Sequence, residues 1–167
     1  ESSAPLPGVL SNLTSLRSRY VTRSTPNTTE QKVALKCGLL NCRSAISHAK
    51  DISESIITHD LDLIILTETW LNESSNPMID LLLPPSYNII RLDRPNKKGG
   101  GIACIFRSSL TIVQFQTEAH PSCEYLGVEI QSKGMVTYKL HALHHPPGGT
   151  QSFLAQAMEI ITNNSDQ

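Results

Sequence analysis

Apolar positions recur along this chain with two different periods. An apolar-rich run from Val33 to Asn41, ending Gly-Leu-Leu-Asn, predicts a strand buried on both faces. Ser44 then offers a hydroxyl to cap a helix, and Ala45, Ala49, Ile52 and Ile56 follow at spacings of four, three and four. That stripe is one face of an amphipathic helix ending near His59, with His48, Lys50, Asp51 and Glu54 largely outside it. Leu63–Leu66 reads as a second apolar strand. Strand, helix and strand in so short a span predict a βαβ unit whose two strands share one sheet.

Beyond a short helix over Ile79–Leu83 and the Pro84-Pro85 break, the rhythm changes to closely spaced strands. They are expected at Tyr87–Leu92, Gly101–Arg107, Leu110–Phe115, Tyr125–Gln131 and Met135–His144. Arg94 to Gly100 reads as a hairpin loop, and Ser132-Lys133-Gly134 as a tight turn. After the Pro146-Pro147-Gly148-Gly149 loop, Gln151–Ile161 predicts a helix with Phe153, Leu154, Ala157 and Ile161 inward. Helices with many strands imply an α/β layered sandwich rather than a regular doubly wound sheet.

Composition narrows the foldable part. Residues 1–31 are rich in Ser, Thr, Pro and Asn and bury too little to offset ordering entropy, so a disordered or loosely attached segment is expected there. One domain is expected over 32–167. A net charge of -1 gives no general attraction to nucleic acid, so such a partner would need a local basic patch. Arg91, Arg94, Lys97 and Lys98 are the candidates, on or beside the hairpin loop, where a solvated loop is the plain alternative. No apolar run is long enough to span a bilayer and no signal peptide is recognisable, so no membrane partner and an intracellular location, nuclear or cytoplasmic, are expected. Cys37, Cys42, Cys104 and Cys123 form no CxxC pair and read as buried thiols. His141, His144 and His145 do not make a metal cluster, because a strand turns His144 away from the other two.

Two polar groups end buried strands: Asn41 and Glu68. Side chains at the junction of a rigid strand and a loop are fixed yet accessible, and neighbouring strands of a βαβ unit bring these two to one edge. A carboxylate there suits Mg²⁺, a hard cation that prefers oxygen ligands, although capping or surface positions have the same appearance.

The stretch Leu39-Leu40-Asn41-Cys42-Arg43-Ser44, followed by Asp60-Leu61-Asp62-Leu63-Ile64-Ile65-Leu66-Thr67-Glu68-Thr69-Trp70-Leu71, resembles the opening of the exonuclease–endonuclease–phosphatase superfamily. It most resembles the apurinic-type endonuclease domain of non-LTR, LINE-like retrotransposons. Arg94-Pro95 to Gly101-Ile102-Ala103 and Cys123-Glu124-Tyr125-Leu126 continue the likeness in order. The resemblance implies a four-layered α/β sandwich, truncated to roughly its first half. It also implies Mg²⁺- or Mn²⁺-dependent phosphodiester hydrolysis on DNA. Glu68 matches the metal-binding glutamate, and Asn41 the asparagine that supports it. His144 stands where relatives carry a tyrosine that approaches the scissile phosphate; a histidine still donates a hydrogen bond, from a smaller ring. The family's Gly-Asp-Phe-Asn and Ser-Asp-His motifs do not occur, so the chain is expected to be inactive alone. Two other readings stay open: a non-catalytic remnant that binds nucleic acid or protein, and a phosphatase-type member. Exposed sheet edges of a half sandwich would favour self-association.

Overall fold

The structure is a computed structural model that describes residues 14–16, 35–94, 99–120, 123–132, 136–145 and 153–165. Its elements in chain order are β1 (Thr14–Leu16), β2 (Cys37–Asn41), α1 (Ala49–Thr58), β3 (Leu63–Thr67), a 3₁₀ turn (Glu73–Met78), α2 (Ile79–Leu82), β4 (Tyr87–Leu92), β5 (Ile102–Arg107), β6 (Thr111–His120), β7 (Cys123–Ser132), β8 (Val136–His144) and α3 (Phe153–Ser165).

Two sheets result. One has the order β1-β2-β3-β5-β4, the other β6-β7-β8. β2 and β3 are parallel neighbours with Asn41 opposite Thr67, so the βαβ unit forms as its apolar pattern requires. β3 and β4 both pair antiparallel with β5. Each face of the first sheet has its own core. Leu40, Ile64, Leu66, Ala103 and Ile105 face Ala45, Ala49, Ile52 and Ile56 of the α1 segment. Leu63, Ile65, Ile102, Cys104 and Phe106 face Leu126, Val128, Ile130 and Ala142 of the second sheet. With α3 against β7 and β8, the layers run helix, sheet, sheet, helix. Ile52 and Ile56 are essentially fully buried, each contributing about 1.5–3 kcal/mol of transfer free energy.

The structure departs from the sequence reading at three places. β2 is not buried on both faces: Leu39 is 37% exposed and Asn41 is exposed, because the inter-sheet core reaches Cys37 but not Leu39. Ser44 does not cap α1, which starts at Ala49 behind His48. Its hydroxyl accepts a 3.4 Å bond from Ser47 N in the preceding turns, while Ser44 N and Ala45 N donate to Glu68 O and Thr69 O. The segment before the helix is thereby tied to the end of β3. Thr14–Leu16, inside the segment read as loosely attached, pairs antiparallel with β2. Lys97 and Lys98, Lys133 and Gly134 of the expected turn, and the loop over 146–149 lie outside the described residues. Cys37, Cys42 and Cys104 are free thiols, and Cys123 is buried. No helix among the described residues is long and apolar enough to cross a membrane.

Candidate active site

Where β3 ends, the backbone turns sharply. Glu68 and Trp70 adopt left-handed conformations (φ 56° and 55°), unusual for side chains of this size and costing on the order of 1–3 kcal/mol each. The surrounding chain holds them there. Glu68 O accepts from Ser44 N at 2.9 Å and Thr69 O from Ala45 N at 2.8 Å, while Trp70 N donates to Gly100 O at 2.9 Å. The turn aims the Glu68 carboxylate inward from the strand end.

Four side chains then link in series. Glu68 Oε2 accepts Trp70 Nε1 and Gly100 N, both at 2.9 Å. Its Oε1 lies 3.1 Å from His144 Nε2. The other ring nitrogen, His144 Nδ1, is 2.9 Å from Glu124 Oε2. Glu124 Oε1 accepts Arg94 Nε at 2.6 Å, and both its oxygens lie 3.0 Å from Gly101 N. An ionised carboxylate only accepts, so the two histidine contacts are both hydrogen bonds only when the ring carries both protons. Side-chain exposures are low: 14% at Glu68, 11% at His144, 7% at Glu124 and 19% at Arg94. Water is largely excluded, and the charges depend on one another.

Burial pushes the pKa of Glu68 up, but the bonds from Trp70 and Gly100 and the charges of His144 and Arg94 outweigh it and hold the carboxyl below its usual range. At Glu124 burial again opposes ionisation. The bonds from His144 and Gly101, with Arg94 beside them, reverse the sign and keep this carboxyl low too. Both are poised as carboxylates at neutral pH. Cys42, 3.4 Å from Thr67 O, is the opposite case: burial pushes its thiol up to about 12, so it is no nucleophile.

The hairpin glycines make this packing possible. Gly100 and Gly101 have φ of 76° and 87°. A Cβ on Gly100 would overlap both the Arg94 guanidinium and Glu124 Oε1.

Of the residues singled out from sequence, Glu68, His144 and Arg94 come together here. Asn41 lies at the same sheet edge, its Cα paired with that of Thr67, and its side chain is exposed. Arg91 turns elsewhere: its guanidinium donates to Asn76 Oδ1 at 2.6 Å and pairs with Asp93 at 3.2 Å. Neither Arg91 nor Arg94 stands out as a solvated cation. The three neighbouring histidines also have separate partners, since His141 Nδ1 meets Tyr125 OH at 2.9 Å and His145 packs on Phe153.

Glu124 is the site residue that sequence reasoning missed. A signal was present, because period-2 alternation places it on the same face of β7 as Leu126, Val128 and Ile130. A charge on a core face needs a partner, and the register sets His144 directly opposite.

A divalent cation is the group to test against this donor set. Among the described residues no group of three or more His, Cys, Asp or Glu is arranged to hold a metal. Glu68 offers one hard oxygen pair with lone-pair capacity remaining on Oε1, and Asn41 stands at the same sheet edge. One carboxylate fits Mg²⁺, which keeps several waters and takes further ligands from a phosphate; it does not fit a closed zinc centre.

A model of the endonuclease/exonuclease/phosphatase family matches residues 38–164. No curated protein matches the chain. Among solved structures, a mannosyl-6-phosphatase from Bacteroides thetaiotaomicron aligns with TM-score 0.52 and 18% identity over 70% of this chain and 51% of that one. The human nocturnin catalytic domain with bound sulfate aligns with TM-score 0.51 and 13% identity, over 74% and 56%. A further endonuclease/exonuclease/phosphatase family protein from Bacteroides thetaiotaomicron gives 0.50 and 19%, over 71% and 51%. At such identities the likeness is one of fold, and the chain spans about half the length of the structures it matches. Because the family model extends over most of its sequence, the chain belongs to the endonuclease/exonuclease/phosphatase family.

Proposed function

We propose that this chain is the metal-binding front of a phosphodiester-hydrolysing DNA endonuclease domain of retroelement, LINE-like origin. The observation that carries the reading is the Glu68 carboxylate, held at the end of β3 by Trp70 Nε1 and Gly100 N and facing His144. Glu68 would hold Mg²⁺ (or Mn²⁺), with Asn41 supporting it; bound there, the metal would neutralise charge on a phosphate oxygen. His144 lines the same site with an N–H donor, at the position where retrotransposon relatives carry a phosphate-facing tyrosine. Arg94 contributes positive charge through Glu124 rather than as a free phosphate contact.

Hydrolysis also needs a group to activate water, and the residues assembled here include no free base for it. Glu68 accepts from Trp70 and Gly100 and faces His144, and Glu124 accepts from Arg94 and Gly101 and faces the other side of the His144 ring. By itself, then, the chain binds but does not cut. The order β6-β7-β8 leaves one side of β8 without a strand among the described residues, which supports the reading of a partial sandwich prone to associate through that edge.

Plasmid nicking with Mg²⁺ tests the proposal on three proteins: this chain, a form extended through Gly-Asp-Phe-Asn and Ser-Asp-His segments, and the extended form with Glu68→Ala. Nicking is expected from the extended form alone. Activity of the present chain that disappears with its own Glu68→Ala would overturn the incomplete-site argument. Release of phosphate from a phosphomonoester by the extended form, with plasmid untouched, would assign the chain to phosphatase chemistry instead.

A further inference from the structure

Trp70 is 48% exposed, yet its indole is tied to the site along one edge. Its backbone N donates to Gly100 O, its Nε1 donates to Glu68 Oε2 at 2.9 Å, and buried Leu71 anchors the following position. Gly99 closes on the pyrrole edge: a Cβ there would sit 3.5 Å from Nε1 and 4.0 Å from Cδ1. Among the described residues the other large exposed apolar side chains are Leu39, Ile57, Met78, Leu81 and Met158. Trp70 therefore has its polar atom and one edge committed, and its exposed surface is aromatic. The left-handed φ of 55° is what directs the ring to this position.

Such a surface recognises flat or CH-rich groups, not phosphate. Resting on the phosphodiester reading above, we infer that Trp70 is a stacking platform for the nucleobase next to the phosphate that the proposed metal at Glu68 and the N–H of His144 would hold. A base can reach the ring face only when it is unstacked from its neighbours, so the ligand class is single-stranded or locally opened nucleic acid. Recognition by stacking is tolerant of base identity, since every base has a π-face. The platform adds affinity and places the strand.

The chain has one tryptophan, so its fluorescence reports on this ring alone. In Mg²⁺ at otherwise low salt, the chain is titrated with a single-stranded oligothymidylate, with an abasic strand carrying the same number of phosphates, and with a sugar phosphate. Expected is saturable quenching by the oligothymidylate and about tenfold weaker binding of the abasic strand. With a labelled oligothymidylate, Trp70→Phe should stay within a few-fold of wild type and Trp70→Ala should bind about tenfold more weakly. Equal binding and equal quenching by the two strands would remove the platform and leave the phosphate reading intact. If neither strand binds a folded chain, or the sugar phosphate alone quenches, the nucleic-acid reading fails and takes this inference with it. The comparison of two strands on wild-type protein needs no variant, so it holds even where Trp70→Ala does not fold.

Discussion

β3 and β5 run side by side and carry charged residues at both ends, but the two ends are different physical objects. At one end Lys36, Asp60, Asp62 and Arg107 make a chain of ion pairs, with Lys36 Nζ–Asp60 at 2.6 Å and Arg107 Nε–Asp62 at 3.2 Å. At the other end stand Glu68, His144, Glu124 and Arg94. The bond lengths are similar; the solvent is not. Lys36 and Asp60 are 58% and 67% exposed, against 7% for Glu124. Charges in water gain little from pairing, whereas charges withdrawn from water depend on every partner they have. A network kept at that cost is the better candidate for chemistry.

The largest effect should come from breaking the buried end. Glu124→Ala leaves Arg94 without its carboxylate, His144 Nδ1 without its acceptor and Gly101 N unpaired. Removing one partner of a buried pair costs about 3–5 kcal/mol, read as a shift of the urea midpoint. A midpoint within error of wild type would show that water reaches this network freely. Gly100→Ala should follow, at roughly 2–3 kcal/mol, since its φ of 76° disfavours any side chain and the added Cβ lands on Arg94 and Glu124. The paired variant Gly100→Ala/Glu124→Ala should be less than additive, because one cluster is disrupted in both.

Acid sharpens the comparison. Glu68 and Glu124 both have folded-state pKa values below the usual carboxyl value. A depressed carboxylate stabilises the fold above the unfolded-state pKa, and that stability is lost as pH falls through the folded value. Stability should therefore be flat near neutrality and drop on the acid side of about 4.5, with Glu124→Gln flattening the drop. Because the groups are buried, the drop should persist at high salt. A slope that high salt abolishes would assign it to the exposed end instead.

Most of the frame was legible in the sequence because burial writes a pattern. The run Leu63–Thr67 is buried at every position, and Ala45, Ala49, Ile52 and Ile56 all face the core. Glu68 was legible as a polar group ending such a strand. Arg94 and Glu124 were not, for a shared reason. A charge thirty residues from its partner is paired by register and by missing Cβ atoms, and neither shows in local periodicity. Arg94 thus looked like a loop cation until Gly100 made room for it beside Glu124. Thr14–Leu16 escaped because an edge strand is held by backbone bonds to β2 and needs no apolar alternation. Ser44 looked like a cap because the sequence does not show that the helix begins only at Ala49, behind His48.

The smallest effect belongs to the exposed end, and it is informative for being small. Asp60 also has a lowered pKa, from its bond to Lys36 and from the charges of Lys36 and Arg107. Its direction matches that of Glu124, so direction alone cannot rank the two ends. Exposure can. Asp60→Asn removes one member of a network in which Asp62 still pairs with Arg107 and still accepts Lys36 N at 2.8 Å. Solvent replaces the lost contact, so the urea midpoint should stay within error at moderate salt and move slightly at low salt. An Asp60→Asn shift as large as that of Glu124→Ala would mean that bond geometry, not access to water, sets what these networks contribute, and the case for the buried end as the functional one would lose its physical basis.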